Sequence, residues 1–165
     1  WYDAHPAATF EELEQELRQP RRELMGGALA TLIVGRDSGY QPSAPPCLQC
    51  GQAMAFEGYR PWTVKGLEGD SRLDRAYIAA QRVPGRRFPP LDQKLALRAD
   101  HWSGGAARVA TRLGLQAKSF DLAAAGFSDA VGRAISGDSL ARLTEEWGRR
   151  VAEQRSAELI AAMAQ

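Results

Sequence analysis

The first residues able to do chemistry are Cys47 and Cys50, which form a Cys-x-x-Cys-Gly motif. Two thiolates at this spacing can bind one metal ion, and such a pair normally supplies half of a four-coordinate structural zinc site. The 165-residue chain has no other cysteine, so a second pair is missing. The motif therefore predicts a zinc half-site and raises the question of what completes it.

Three arrangements remain open for this pair. The two histidines of the chain, His5 and His101, would complete a tetrahedral site if the fold brought them to the knuckle. A second copy of the chain would complete it if the metal were shared across a dimer. Otherwise the knuckle is a metal-free relic in a hairpin held by Phe56, Trp62 and Tyr77. A redox role is disfavoured, because redox Cys-x-x-Cys pairs begin a helix in a βαβ unit.

A second group of residues lies in the turn "RVPGRRF", which contains Arg82, Arg86 and Arg87. Guanidinium groups pair well with phosphate oxygens, so this turn suits phosphate contact or entry into a minor groove. Residues 47–98 carry 9 basic and 5 acidic side chains, net +4, although the whole chain is net +1. A solvated loop without a ligand is the alternative.

A third group lies in "SFDLAAAGFSDAVGRAISGDSLARLTEEWG", which predicts a helix, a tight Ser-Gly-Asp turn and a second helix. A helix-turn-helix has this layout, and the first residues of its second helix enter the major groove. The candidate DNA contacts are Ser139, Arg142 and Thr144, with Lys118 and Arg133 flanking them. An ordinary helical bundle is the alternative, which Glu145 and Glu146 on the same helix favour.

The elements that must position these residues fall into four segments. Residues 1–38 are acidic and predict two helices, and residues 39–46 are a proline-rich linker. Residues 47–89 predict a zinc-ribbon-like module of short strands, and residues 90–165 predict a helix-turn-helix-like helical domain. The expected fold class is mainly α with a small β zinc-ribbon-like hairpin module.

Helix ends follow from local capping signals. Thr9 and Glu12 form a predicted capping box, and Pro20 is expected to end or kink the first helix near Arg18. Farther along, the predicted caps are Ser103, Ser119 and either Asp138 or Ser139, with Gly114 as a helix stop. Spacing predicts that one face of the last helix packs in the core, through Leu140, Leu143 and Trp147.

The order of these motifs resembles the N-terminal half of an insertion-sequence transposase of the ISKra type. The shared features are F-x-x-L-E from Phe10, C-x-x-C-G-x-x-M from Cys47, the segment from Arg72 to Tyr77, F-P-P-L-D from Phe88, and S-x-x-S-L-x-R-L-T-E-x-x-G from Ser136. The resemblance covers nearly the whole chain. No single motif is specific for this family, but the order and spacing of the motifs together are.

This resemblance implies a four-cysteine zinc ribbon. The present sequence departs from that pattern at the second cysteine pair. Ala79 and Arg82 stand about where the second cysteine pair of the family would be. The family's catalytic domain, an RNase H-like fold with three acidic metal ligands, would follow Gln165. The chain, which also begins without Met, is therefore expected to be a fragment with the DNA-recognition half and without the catalytic chemistry.

No catalytic site is predicted within the chain, so it is not expected to be an enzyme. The sequence has no glycine-rich phosphate loop and no Ser-His-Asp pattern, and no β-rich segment gathers its carboxylates for two-metal chemistry. His101 is interpreted as a structural residue. No apolar run is long enough to span a membrane. A cytoplasmic, nucleoid-associated protein without a membrane or small-molecule partner is expected.

The leading functional hypothesis is sequence-specific binding of double-stranded DNA at transposon ends, with zinc as the candidate cofactor. The alternative is a protein-interaction module that drives multimerisation, which the near-zero net charge and the acidic first segment favour. A domesticated, transposase-derived transcriptional regulator would share the DNA-binding chemistry. A homo-oligomer fits each of these hypotheses.

Overall fold

A computed structural model of the chain describes residues 1–43, 45–47, 50–80 and 87–163. The backbone forms two compact units, Trp1–Gly104 and Gly105–Gln165. Helices predominate, and a small three-strand antiparallel sheet lies in the first unit, which confirms the expected mixture at the level of fold class. Within the described ranges, no helix is both long and apolar enough to cross a membrane.

The N-terminal helix, α1, spans Phe10–Arg36 and begins at the predicted capping box. The Glu12 N–H donates to the Thr9 hydroxyl at 3.3 Å, and the Thr9 N–H donates to the Glu12 carboxylate at 2.7 Å. These reciprocal bonds satisfy two backbone donors that the helix itself leaves unpaired. Donation from Thr9 also lowers the pKa of Glu12, because it stabilises the ionised carboxylate.

Of the two outcomes expected at Pro20, an end or a kink of the first helix, the end is wrong. Pro20 lies inside the continuous helix α1 and is exposed. A proline removes one helical hydrogen bond, and water can satisfy a carbonyl freed on the solvent side. Arg22, which is buried, donates to the carbonyl oxygens of Leu67 at 2.8 Å and Gly66 at 3.3 Å. These bonds anchor the helix immediately after the proline, so tertiary contacts outweigh its local cost.

The sheet is built on a long hairpin of β1, Ala55–Lys65, and β2, Asp70–Ala79. The strands pair antiparallel, with Trp62 opposite Leu73, and an irregularity in the pairing falls between Phe56 and Gly58. A two-residue strand, β3 (Arg87–Phe88), adds to the other edge of β2. The β-prone pieces expected from sequence are therefore confirmed, but they merge into two strands of 11 and 10 residues.

Helix α1 packs closely on β2 through a glycine. Gly26 is buried, and its carbonyl accepts a hydrogen bond from the Ser71 hydroxyl at 3.0 Å. A Cβ added to Gly26 would lie 2.7 Å from the backbone nitrogen of Asp70, which real side chains do not tolerate. Glycine is therefore required here for close approach of helix and strand.

Arg75 on β2 joins the hairpin to helix α2, Pro90–Lys94. Its side chain is 1% exposed and forms an ion pair with Asp92 of α2. The guanidinium carbon lies 4.3 Å from the ring centroid of Trp62, and His101 stacks on the same ring at 3.7 Å. A buried charge of this kind requires a counter-charge and close contacts to offset its desolvation.

The second unit contains three helices, α3 (Gly104–Gln116), α4 (Phe120–Val131) and α5 (Gly137–Met163). Ser119 caps α4 as predicted, because its hydroxyl accepts a hydrogen bond from the Leu122 N–H at 3.2 Å. Apolar residues of all three helices are buried in this unit, including Ala106, Ala110, Ala123, Phe127, Leu140 and Leu143.

Two expectations for this unit are wrong. Gly114 does not stop α3, which continues to Gln116. Its role is close packing, since an added Cβ would lie 2.5 Å from Thr144 Oγ1 and 2.7 Å from Leu140 Cδ2. Trp147 is 45% exposed, so the buried face of α5 ends earlier than its periodicity predicted.

The glycine pair in α1 gives a matched test of the helix–sheet contact. We expect Gly26→Ala to destabilise the first unit by about 1–3 kcal/mol, because its new methyl group meets the backbone of Asp70. Gly27→Ala meets no atom within 4 Å and should stabilise α1 by about 0.5–1 kcal/mol through helix propensity. The effect of each substitution on stability is measured by urea unfolding, with hydrogen exchange of the β2 amides as the local readout. Equal effects would contradict the close contact.

Breaking the buried ion pair should be costly. We expect Asp92→Asn to lower the free energy of unfolding by about 3 kcal/mol, the low end for a buried pair, because the Asp92 side chain stays 27% exposed. Asp74→Asn is the control, since Asp74 is exposed on the same hairpin and should change stability by less than about 0.5 kcal/mol. Similar urea midpoints for the two variants would disprove the role of the pair.

Candidate nucleic-acid interface

The first turns of α4 and α5 lie at the same end of the second unit. A Cβ on Gly137, the first residue of α5, would lie 3.4 Å from the backbone nitrogen of Asp121 in the first turn of α4. Helix α4 ends at Gly132, which adopts the left-handed conformation with φ 68°. Residues 132–136 therefore return along α4. This connection replaces the tight Ser-Gly-Asp turn predicted from the sequence.

The end of α3 meets the start of α5 at this place. Gly114, in the last turns of α3, packs against Leu140 and Thr144 of α5. Lys118 follows α3, precedes the cap of α4 and is exposed. The fold therefore brings Lys118 and the start of α5 to one end of the second unit, although 21 residues separate Lys118 from Ser139 in the sequence.

A serine pair orders the beginning of α5. The Ser139 N–H donates to the Ser136 hydroxyl at 3.2 Å, and the Leu140 N–H donates to the Ser136 carbonyl at 3.0 Å. Ser136 is thus the cap, in place of the predicted Asp138 or Ser139. The Ser139 hydroxyl accepts hydrogen bonds from Ser136 at 2.9 Å and from the Arg142 guanidinium at 3.1 Å.

Arg142 is exposed, whereas its neighbours Leu140 and Leu143 on α5 are buried. Leu140 is 0% and Leu143 is 5% exposed. Thr144, the third predicted contact on this helix, is half-buried and its hydroxyl donates to the Leu140 carbonyl at 2.9 Å. The outward-facing candidates at the start of α5 are therefore Arg142 and, partly, Ser139.

The electrostatics of this end are mixed. Helix starts carry partial positive charge, which attracts anions. Asp121 and Asp138 are both exposed in the first turns of α4 and α5, however, and their carboxylates offset that charge. The surface can therefore offer Lys118 and Arg142 to a ligand without forming a broadly basic patch.

The other predicted basic contacts are not gathered at this end. Arg133 is half-buried and directly follows Gly132, at the opposite end of α4. Arg87 lies in β3 and forms an ion pair with Glu57 at 2.8 Å. Arg82 and Arg86 lie outside the described residues.

Backbone hydrogen bonds join the described residues on either side of the Cys-x-x-Cys motif. The Gly51 N–H donates to the Cys47 carbonyl at 2.8 Å, and the Cys47 N–H donates to the Gln52 carbonyl at 2.8 Å. Gly51 adopts φ 70°, a conformation that favours glycine. Cys47 is buried and Cys50 is exposed.

Both histidines contact residues outside the Cys-x-x-Cys motif. His101 Nδ1 lies 2.9 Å from the Thr63 carbonyl oxygen, and its ring stacks on Trp62. His5 Nδ1 lies 2.8 Å from the Trp1 carbonyl oxygen, and its ring stacks on Trp1. The described part of the chain contains no group of three or more side chains placed to hold a metal ion.

Sequence reasoning missed Ser136 and Asp121 at this end. Ser136 had a local signal, because serine is one of the residues preferred at the start of a helix. Asp121 had none, since its neighbour Gly137 lies 16 residues away in the sequence. Comparisons of the chain with known protein families, curated proteins and solved structures found no match.

Substitution of Ser136 and of Ser139, one at a time, distinguishes capping of α5 from positioning of Arg142. We expect Ser136→Ala to destabilise the second unit by about 1 kcal/mol, because the first turn of α5 loses its side-chain acceptor. Ser139→Ala keeps the cap and should cost less than about 0.5 kcal/mol, while it frees Arg142. Thermal unfolding measures the difference. A larger loss in Ser139→Ala would contradict the assignment of Ser136 as cap.

Proposed function

We propose that this chain is the DNA-binding region of an insertion-sequence transposase of the ISKra type and recognises transposon ends. The observation that carries the proposal is the exposure of Lys118 and Arg142 at the end where α4 and α5 begin. In this proposal α5 is the recognition helix, and its first turn lies beside the first turn of α4 instead of following the end of α4 through a tight turn. In this proposal the region recognises DNA and does not catalyse transposition, and the protein is nucleoid-associated.

Recognition by a helix requires a rigid support and a few outward side chains. Leu140 and Leu143 hold the start of α5 in the core, and Ser139 holds the Arg142 guanidinium near the helix end. Guanidinium groups bind guanine through two parallel hydrogen bonds in the major groove. In this proposal Arg142 exchanges its bond to Ser139 for a base edge, and Lys118 contacts a neighbouring phosphate.

The neighbouring carboxylates favour sequence-specific over general binding. A surface that binds any duplex relies on many phosphate contacts from Lys and Arg. Asp121 and Asp138 weaken that attraction here, so affinity has to come from matched base contacts. An aspartate beside an arginine can also accept a hydrogen bond from cytosine, which extends the readout.

The arginine turn supplies a second contact in this proposal. Arg87 and Glu57 form an exposed ion pair, and such pairs contribute only about 0–1 kcal/mol. A DNA phosphate can therefore replace Glu57 at little cost. Arg82 and Arg86 join this contact on the strength of the sequence alone.

Selection from a random duplex library, followed by titration at two salt concentrations, tests the proposal. We expect an enriched motif whose affinity falls as salt rises, because phosphate contacts release bound counterions. Arg142→Ala should weaken binding of that motif by about 10-fold or more and relax preference at one base pair.

The matched control is Arg155→Ala, which removes the same side chain from the same helix. Arg155 is exposed and lies 13 residues beyond Arg142, about 20 Å along the helix axis. It should change affinity little. An equal loss in both variants would indicate general charge attraction, and absence of any enriched motif would rule out end recognition.

Helix α1 favours a second candidate function, an assembly module. Apolar side chains are exposed along it in the first unit, namely Phe10, Leu17, Leu24, Leu29 and Leu32. Exposed apolar faces of this kind are typical of protein-interaction sites. A concentration-dependent increase in mass that is insensitive to salt, in a chain that selects no duplex, would favour this candidate over DNA recognition.

A further inference from the structure

We propose that helix α1 of one copy of the chain pairs in an antiparallel manner with α1 of a second copy, which forms a homodimer. This pairing rests on the assembly candidate above and gives it a partner, a contact face and a direction. It uses residues of α1 alone, so it is independent of the duplex contacts assigned to Lys118 and Arg142.

The contact face is an apolar stripe along the first half of α1. Phe10, Leu17 and Leu24 follow at intervals of seven residues, close to two helical turns, so they lie on one side of the helix. Their exposed fractions are 76%, 64% and 71%. Gly26, which packs on β2, lies nine residues after Leu17 and therefore about 180° around the helix from it. The stripe thus faces away from the sheet of its own unit.

A two-fold axis at Leu17 matches this stripe to itself. In a symmetric pair, each contact between two residues occurs twice, with the copies exchanged. Phe10 lies seven residues before Leu17, and Leu24 lies seven after it. Antiparallel pairing therefore places Phe10 of each copy against Leu24 of the other, and Leu17 meets its own counterpart at the centre. One surface supplies both halves of a continuous apolar contact.

The charges beside the stripe are complementary in the same pairing. Glu14 lies three residues before Leu17 and Arg21 lies four after it, and both are exposed. Because seven residues separate them, they lie on the same flank of the stripe. The two-fold axis of an antiparallel pair keeps equivalent flanks on the same side. Glu14 of each copy therefore comes to lie opposite Arg21 of the other, which gives two ion pairs per dimer.

The same charges disfavour a parallel pair. In that arrangement the two-fold axis runs along the helices and exchanges the flanks. Glu14 of one copy and Arg21 of the other then stay about 10 Å apart along the axis and lie on opposite flanks. Complementary charges set the direction and register of an interface more than its affinity, which here comes from burial of the apolar stripe.

The contact is small, so the dimer should be reversible. The stripe from Phe10 to Leu24 spans about 21 Å of helix. One helix pair of this length buries less area than a standard interface of about 1,600 Å², and small interfaces form weak complexes. Self-association should therefore depend on the concentration of the chain.

Mass measured over a range of concentrations tests this pairing. Sedimentation of the full chain should show a rise from 18.0 kDa toward twice that mass as concentration increases. Leu17→Ser should weaken the dimer by about tenfold or more, because it removes the apolar side chain at the centre of the contact. The matched control is Leu159→Ser on α5, since Leu159 is exposed to the same degree, 65%. It should dimerise as wild type, and circular dichroism should show that both variants are folded.

Exchange of the two charges tests the direction of pairing. Glu14→Arg or Arg21→Glu alone sets like charges opposite each other twice in the dimer. Each single variant should weaken dimerisation by about tenfold at low salt, where screening is weakest. The double variant exchanges the two charges and should restore wild-type dimerisation, because opposite charges again face each other.

Three results would overturn the pairing: a single-chain mass at every concentration, an equal loss in Leu17→Ser and Leu159→Ser, or charge variants that dimerise as wild type. A single-chain mass would leave the assembly candidate with a different protein as its partner. Duplex selection with the Leu17→Ser chain reports on DNA recognition separately, since this variant keeps Lys118 and Arg142.

Discussion

The buried guanidinium of Arg75 is the interaction on which the first unit depends. A charge that is 1% exposed is tolerated only when its loss of hydration is offset. Asp92 supplies the counter-charge, the Tyr77 hydroxyl accepts a hydrogen bond at 3.0 Å, and the Trp62 ring lies 4.3 Å away. These partners belong to α2, β2 and β1. The contacts of one side chain therefore join three elements, and His101, stacked on Trp62, joins the segment before α3 to the same cluster.

Local signals predicted much of this fold. Thr9 and Ser119 cap their helices as expected, because a capping hydrogen bond involves residues only three positions apart. The hairpin strands also follow from nearby residue types and turns. Such predictions succeed because the energy that decides them lies within a few residues, so distant packing does not need to be known.

The failures share a different physical cause. Pro20 is carried inside α1 because Arg22, two residues later, is bonded to the turn between β1 and β2. Gly114 continues α3 because it packs against α5, and Gly137 begins α5 beside Asp121. In each case a contact between residues distant in sequence outweighs a local preference. For the same reason, the sequence could not predict which residues share the candidate interface. Lys118 and Arg142 lie at one end only because the connection after α4 returns along that helix.

Charge counts are weak guides to a binding surface for the same reason. The net +4 of residues 47–98 suggested that the β module is the basic face. In the folded chain Arg75 is buried with Asp92, and Arg98 pairs with Asp100. Hydrogen bonds from Arg98 and Trp102 even outweigh burial and lower the pKa of Asp100, so that carboxylate stays charged. These arginines are paired with carboxylates within the fold.

Arg142 instead bonds to a neutral serine hydroxyl, so a phosphate or a guanine can replace that partner without leaving an unpaired carboxylate. This difference in partner, rather than the number of basic residues, is why the proposed DNA recognition is assigned to the start of α5.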